Sequence, residues 1–437
     1  AAVLWVAPAC AESLAAPFAE ALQPERIVGD AAKSRIHALF EAYDPDFAVE
    51  RQARERRFDA LGRELFERTL AGHDTRCSQQ IFVEAKWLVG YTAWWPRIDA
   101  RLDELAQSFA LDDQTFAEQQ GDADGWFGRC ANEAFIRLES TAERFMVMAD
   151  EGERPALRWK PFLRPGRRLS EEFRDLLIAE IPRTGEDNRS RLGGMVSIIT
   201  RVVRDAHVVD LIRATRDGAV LSEAEMQRRI DDINAFVDAW QDPVTGYWGA
   251  WYRDGETVFS TTDLSITYHV IHARKGRVNH WPQIIATTLA ISDDAYPFGW
   301  LSDGRWHNHN NYDLARMFRY GWDHMTPAQQ RRVAGLMQDM VEWAFTETLD
   351  DSYRGFVLFP EISSSVGAEL YFGASFLDAS GYFAPEPWYG TLERPAHPAR
   401  VCANLQVHAQ TLDPNDTYVI GAIKKVDRAC ARWVHRG

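Results

Sequence analysis

The sequence predicts an all-α fold, and three observations carry that expectation. Apolar residues recur at helical spacing wherever a pattern is clear, two helix starts carry full capping grammar, and no series of short alternating runs broken by Gly or Asn-Gly turns appears. In chain order, residues 80 to 93, 97 to 109 and 126 to 149 read as helices. Ser170 opens the next one, with Phe173, Leu176, Leu177 and Ile181 on one face, and a further helix runs through Ile198, Ile199, Val202, Val203 and Leu211. Ser222-Glu223-Ala224-Glu225 is a capping box, in which the serine hydroxyl accepts from the third backbone amide and the glutamate reaches back. Met226, Ile230, Ile233, Val237 and Trp240 follow at helical spacing, which predicts a helix over 223 to 241. Thr326-Pro327-Ala328-Gln329 repeats this grammar with a proline in the first turn, ahead of Val333, Leu336, Met337, Met340, Val341 and Ala344.

An imperfect internal repeat organises the C-terminal part. Three times a periodic helix gives way to a Gly/aromatic loop, at residues 242–249, 296–300 and 353–356, about 53 residues apart. A polar stretch follows each loop, and then an acidic residue and a leucine begin a small, aromatic-rich helix: Asp263-Leu264, Asp313-Leu314 and Glu369-Leu370. Helix pairs closed in a ring would bring these loops and helix starts to one mouth. Upstream, the Pro-, Gly- and Arg-rich stretch from Glu151 to Arg168 marks a boundary. The expected division is a signal-peptide remnant over 1–11, an N-terminal helical region over 12–150, a linker over 151–169 and a helical body over 170–437.

The remnant is read from AAVLWVAPACA, an apolar run ending in the small residues Ala9-Cys10-Ala11, which implies export to the periplasm or the cell exterior. Acylation of Cys10 is the alternative. The other cysteines, Cys77, Cys130, Cys402 and Cys430, are even in number; nearest-neighbour disulfides and four small buried thiols are both open. A formal charge of −15 argues against nucleic acid as a partner, and no later apolar run approaches the length of a membrane span. Aromatic residues make up 12% of the chain and cluster beside glycines, a composition suited to stacking on sugar rings and also to ordinary core.

The densest polar constellation is Trp306-His307-Asn308-His309-Asn310-Asn311-Tyr312-Asp313, with Arg316 one helical turn beyond Tyr312. Uronate β-elimination needs a base for the C5 proton, an acid for the leaving oxygen, and an amide or cation to neutralise the carboxylate; His, Tyr, Asn and Arg fill these roles. The repeat resembles the (α/α) toroids of many exported glycoside hydrolases and polysaccharide lyases, over roughly residues 170 to 385. The constellation is similar, in a different order, to the Asn-Asn-His-Ser-Tyr run of toroidal alginate lyases. That resemblance implies a toroid body with an N-terminal helical bundle, cleaving glycosidic linkages of a polysaccharide or oligosaccharide by β-elimination without a cofactor. It implies His309 as base or carboxylate neutraliser, Tyr312 as base or acid, and Asn311 and Arg316 as carboxylate binders. Trp248, Trp251, Trp300, Trp306, Asn308 and His269 are the other expected substrate-binding residues.

Other readings stay open. An inverting glycoside hydrolase would use two of Asp263, Asp313 and Glu369, with Glu361 a fourth candidate, although an acid in a first helical turn also has a purely electrostatic reason to be there. A non-catalytic glycan-binding or envelope scaffold protein would need only the aromatics. The polar run could simply cap a helix at Asn310 or Asn311. His269 and His272, one turn apart, with Asp263 or Asp313 could hold zinc, but no His-Glu-x-x-His string supports it and no metal is expected. Gly193-Gly194 sits inside a helical pattern and reads as close helix packing. Arg164, Arg167 and Arg168 read as a solvated linker.

Overall fold

A computed structural model describes residues 24–111, 126–137, 140, 141, 144, 169–204, 222–349, 356, 366–412 and 417–434. Among these, 66% are helical and 7% are in strands, so the chain is mostly helical as its periodicity predicts. The leader-like segment with Cys10, nearly all of the expected linker, Arg164, Arg167, Arg168, Leu211, the loop ahead of Phe356, and Glu361 lie outside the described residues.

The N-terminal part opens with strand β1 (Glu25–Ile27) and helix α1 (Asp30–Tyr43), followed by α2 (Phe47–Leu70), α3 (Arg76–Tyr91) and α4 (Trp95–Ser108). Helices α2 to α4 hold a core of their own, built on Phe58, Leu65, Ile81, Phe82, Leu88, Leu102 and Leu105. The Cys77–Cys130 disulfide ties α3 to the segment that follows. Inside this bundle Arg101 is buried, donating to Glu84 at 2.7 Å and to the Cys130 carbonyl at 2.5 Å, so its charge is met on both sides. Helix α1 behaves differently: Ile36, Leu39 and Phe40 join the large core of the C-terminal body.

That body alternates two kinds of helix. One set is α5 (Leu169–Leu177), α8 (Glu223–Trp240), α10 (Trp281–Ala290), α12 (Pro327–Trp343) and α14 (Pro398–Ala409), with the single turn α6 (Ile181–Thr184) between strand and helix. The other set is α7 (Arg189–Arg204), α9 (Leu264–Ala273), α11 (Asn308–Gly321), α13 (Val366–Ala379) and α15 (Thr417–Val434), and each of these packs on the next in chain order. Their contacts advance together: Tyr268 meets Tyr312 and His272 meets Tyr320 across α9 and α11, while His309 stacks on Phe372 across α11 and α13. The second set therefore runs in one direction, with its N-termini at one end. The caps follow the sequence grammar at α12, where the Thr326–Gln329 box forms in full. The Cys402–Cys430 disulfide joins α14 to α15, so the structure forms both nearest-neighbour pairings.

Strands are the part that periodicity missed. Strands β2 (Ile178–Ala179), β3 (Trp251–Asp254) and β4 (Thr257–Thr261) join β1 in a sheet of order β1-β4-β3-β2. Only β3 and β4 form an antiparallel hairpin, turning at Gly255 in the left-handed region; β1 and β2 add parallel from distant parts of the chain. Each strand is too short for a period-two signal, and two of the pairings have no local turn to announce them. The sheet leads directly into α9 and so fixes where that helix begins.

Candidate functional site

The start of α9 is built around a buried ion pair. Asp263 caps the helix, its Oδ1 accepting from the Ile266 amide at 2.8 Å, and both its oxygens take the Arg189 guanidinium, Nη2 reaching Oδ1 at 3.1 Å and Nε reaching Oδ2. Arg189 in turn donates to the Tyr91 hydroxyl at 2.8 Å and lies over the rings of Tyr91 and Tyr296, 5.8 and 5.7 Å from their centroids. Burial works against its charge, and Asp263 together with Tyr91 and Tyr296 more than restores it. Asp187 completes the start of α7, accepting from the Arg189 amide at 2.8 Å and from the Tyr252 hydroxyl at 3.0 Å. Burial pushes its carboxyl up to about 6 against those bonds.

The start of α11 is satisfied far less completely. His307 is its cap, with Nδ1 accepting from the His309 amide at 3.2 Å and Nε2 lying 3.4 Å from Glu369 of α13. Asn308 donates to the Thr348 hydroxyl at 3.1 Å and Asn310 to the Trp300 carbonyl at 2.9 Å. The Asn308 carbonyl oxygen, both ends of the Asn311 amide and both Asp313 oxygens are buried without a hydrogen-bond partner among the described residues. The His309 imidazole lies 3.8 Å from Asp313. Burial holds Asp313 well above the usual carboxylate range, opposed by Lys425.

His309 combines an interior setting with access. Its side chain is 32% accessible, yet burial, then the neighbouring His307, Lys86 and Arg189, push its pKa down to about 3, so the imidazole is neutral. Lys86 on α3 has the same character: an accessible side chain whose pKa is lowered by burial, with Glu369 pulling the other way. Both side chains keep accessible surface although protein surrounds them closely, Lys86 on α3 and His309 at the start of α11. Tyr91 and Tyr296 are partly accessible on the same side, the latter's ring 6.3 Å from that of His309, and burial pushes Tyr296 up to about 12.

No family model matches this chain, and no curated protein or solved structure is significantly similar to it.

The expected residues divide accordingly. His309, Asn308, Asn311, Asp313, Asp263 and Glu369 lie toward the N-terminal end of the second set of helices, but the three carboxylates are not equivalent. Asp263 is a cap, whereas α11 starts at His307 and leaves Asp313 in its second turn; Glu369 is the fourth residue of α13. Neither Asn310 nor Asn311 is the cap. Tyr312 is 5% exposed and sits one turn inward, with Arg316 further along the same face. His269 is partly accessible on α9. The tryptophans need correcting. Trp248 and Trp300 are fully buried, their indole N–H groups bonded to the carbonyls of Val237 and Thr288, and Trp251 is a buried residue of β3. A ring stacks on a sugar only through an exposed face, and these have none; Trp306 is partly accessible and packs edge-on against Trp343. Among the described residues no cluster of three His, Cys, Asp or Glu side chains could hold a metal ion.

Lys86, Tyr91, Arg189 and Tyr296 escaped the sequence reading. Tyr296 lay in a recognised loop, but Lys86 and Tyr91 belong to a helix whose pattern speaks only of its own bundle, and nothing in the sequence tells which neighbour that helix meets.

Proposed function

We propose that the inner and outer helices close as an (α/α) toroid, and that the chain is an exported enzyme cleaving acidic polysaccharide by β-elimination at the polar groups around His309. The observation that carries this reading is the division of polar groups at the mouth. Those with access are an imidazole, two phenols and a lysine, whereas Asp187, Asp263, Asp313 and Glu369 are each 5% exposed or less. Hydrolysis would require an ionised carboxylate holding water opposite a protonated one. Asp263 is committed to Arg189 and its cap, and burial disfavours the ionised form of Asp313, which disfavours that alternative.

Elimination makes different demands. The C5 proton leaves to a base, the C4–C5 double bond forms as the C4–oxygen bond breaks, and the departing oxygen takes a proton from an acid. Neutral His309 is placed to accept the first proton. A substrate carboxylate entering beside Lys86 and Arg189 offsets the positive charge that depresses the imidazole, and so raises its basicity as it binds. Tyr296, held protonated by burial, can supply the second proton, and the accessible Lys86 can take the substrate carboxylate. Two disulfides fit a protein that works outside the reducing cytosol.

The test is a panel of uronate and neutral polysaccharides, read in parallel by ultraviolet absorbance of the unsaturated product and by new reducing ends. Both signals should rise together on a uronate polymer and disappear in His309→Gln. Reducing ends without absorbance would return the carboxylates to candidacy for hydrolysis, and silence in both channels would leave the glycan-binding alternative.

A further inference from the structure

Deeper along the inner helices lies a second polar cluster. Arg316 follows His309 by seven residues on α11, roughly 10 Å further along the axis at the usual helical rise. There it meets Lys425 of α15. The lysine ammonium donates to the Ser375 hydroxyl at 2.7 Å and to the Tyr312 hydroxyl at 3.4 Å, and lies 4.4 and 4.3 Å from the ring centroids of Tyr312 and Tyr371. The Arg316 guanidinium lies 5.6 Å from the same Tyr312 ring, and its Nε is buried without a hydrogen-bond partner.

Two cations thus share one aromatic wall, and among the described residues neither has a carboxylate within ion-pair distance. Buried like charges side by side are expensive unless an anion joins them. The lysine registers that cost: burial, then Arg316, push it down to about 7 against the pull of Asp378 and Asp313. Parts of Arg316, Lys425, Tyr371 and Phe372 remain accessible, so a guest can reach them. The aromatic rings would pack on a small apolar body while the two cations take its charge.

We propose that Arg316 and Lys425 form an oxyanion-binding site between the inner helices, taking the carboxylate of a small acidic sugar or a comparable organic acid. The site is distinct from the mouth and does not depend on the mouth being catalytic. The groups facing Lys425 are Tyr312, Asp313 and Arg316 on α11, Tyr371, Ser375 and Asp378 on α13, and Arg428 on its own helix. The lysine titrates near neutrality, at about 7. A bound anion favours its charged form, so binding takes up a proton and weakens as pH rises above about 7.

The full chain would be titrated calorimetrically with glucuronate, acetate and, as the neutral control, glucose, at about one pH unit either side of neutrality. Glucuronate should bind saturably and glucose should not, with affinity falling roughly tenfold between the two pH values. Arg316→Met and Lys425→Met should each weaken binding at least about tenfold, while Lys425→Arg and His309→Gln retain it. Should Lys425→Met fail to fold, Lys425→Arg still decides the pH effect, because arginine stays charged and the pH dependence should vanish. Absence of glucuronate binding in the wild type overturns the proposal. So does binding that survives both methionine variants, or that is lost in His309→Gln, which would place the anion at the mouth.

Discussion

Helices α9 and α11 begin at the same end of the molecule with polar residues that look alike in sequence, and the structure treats them in opposite ways. At α9 the Asp263 carboxylate is filled by one cap amide and a two-point guanidinium, and Arg189 spends a further donor on Tyr91. At α11 the amide of Asn311 and the carboxyl of Asp313 are buried with their hydrogen-bonding capacity unused among the described residues. A buried polar group without a partner costs about 1–3 kcal/mol, so a fold that carries several at one place is less stable there than it could be. A complete network holds a helix in position. An incomplete one, beside an accessible neutral imidazole, is a place prepared for something else to complete it.

The largest effect should come from breaking the complete side. Arg189→Met leaves the Asp263 carboxylate buried with only its cap amide, and removing one partner of a buried pair typically costs about 3–5 kcal/mol. Urea unfolding should record a loss of that size. A loss below about 1 kcal/mol would mean that the pair is dispensable, and the contrast between the two helix starts would lose its basis.

How much of this was legible depended on the range of the interaction. The helices over 223–240 and 327–343 and the Thr326 box rest on neighbours in sequence, and local patterns reported them, whereas the cysteine partners lie 53 and 28 residues apart and the sequence left pairing and buried thiols both open. The repeat placed Asp263, Asp313 and Glu369 at helix starts, whereas His309 came from the polar run ahead of Asp313 and not from the repeat. The register within α11 was not: the acid-leucine pattern put the helix start at Asp313, whereas a histidine side chain caps it six residues earlier. Partners were illegible altogether. Asp263 reads as a free acid until Arg189 is found 74 positions away, and Trp248 and Trp300 read as cleft walls until their indoles are seen bonded to backbone inside the core.

A middle-sized effect belongs to the approach to α7, where satisfaction is partial. Glu186 is buried, 3.0 Å from Arg191, and burial pushes its pKa from the usual 4.5 to about 7 against that pull, with Glu133 and Asp187 adding to the rise. A carboxyl raised in this way binds its proton more tightly folded than unfolded. Its contribution to stability is greatest below about 4.5, declines as pH rises, and levels off above 7. Glu186→Gln removes that slope. Relative to wild type, the variant should gain roughly 1–3 kcal/mol between pH 5 and pH 8, read from paired denaturation curves. A difference that does not change with pH would show that Arg191 neutralises Glu186 fully and that this region belongs with the satisfied start of α9.

The smallest stability effect is the sharpest test of the contrast. If Asn311 is unsatisfied in the folded protein, Asn311→Leu replaces an unpaired amide by an apolar side chain of similar volume. It should leave stability unchanged or raise it by about 1–2 kcal/mol. If the amide reaches a substrate carboxylate, as the sequence expectation has it, the variant should lose most of its turnover, chiefly through a higher KM, on any uronate polymer that the wild type proves to cleave. A structural residue would do the reverse, destabilising the fold and sparing KM. Denaturation and steady-state kinetics on one purified variant therefore separate the two roles. A destabilisation above about 1 kcal/mol would place Asn311 with Asp263 among residues that serve the fold.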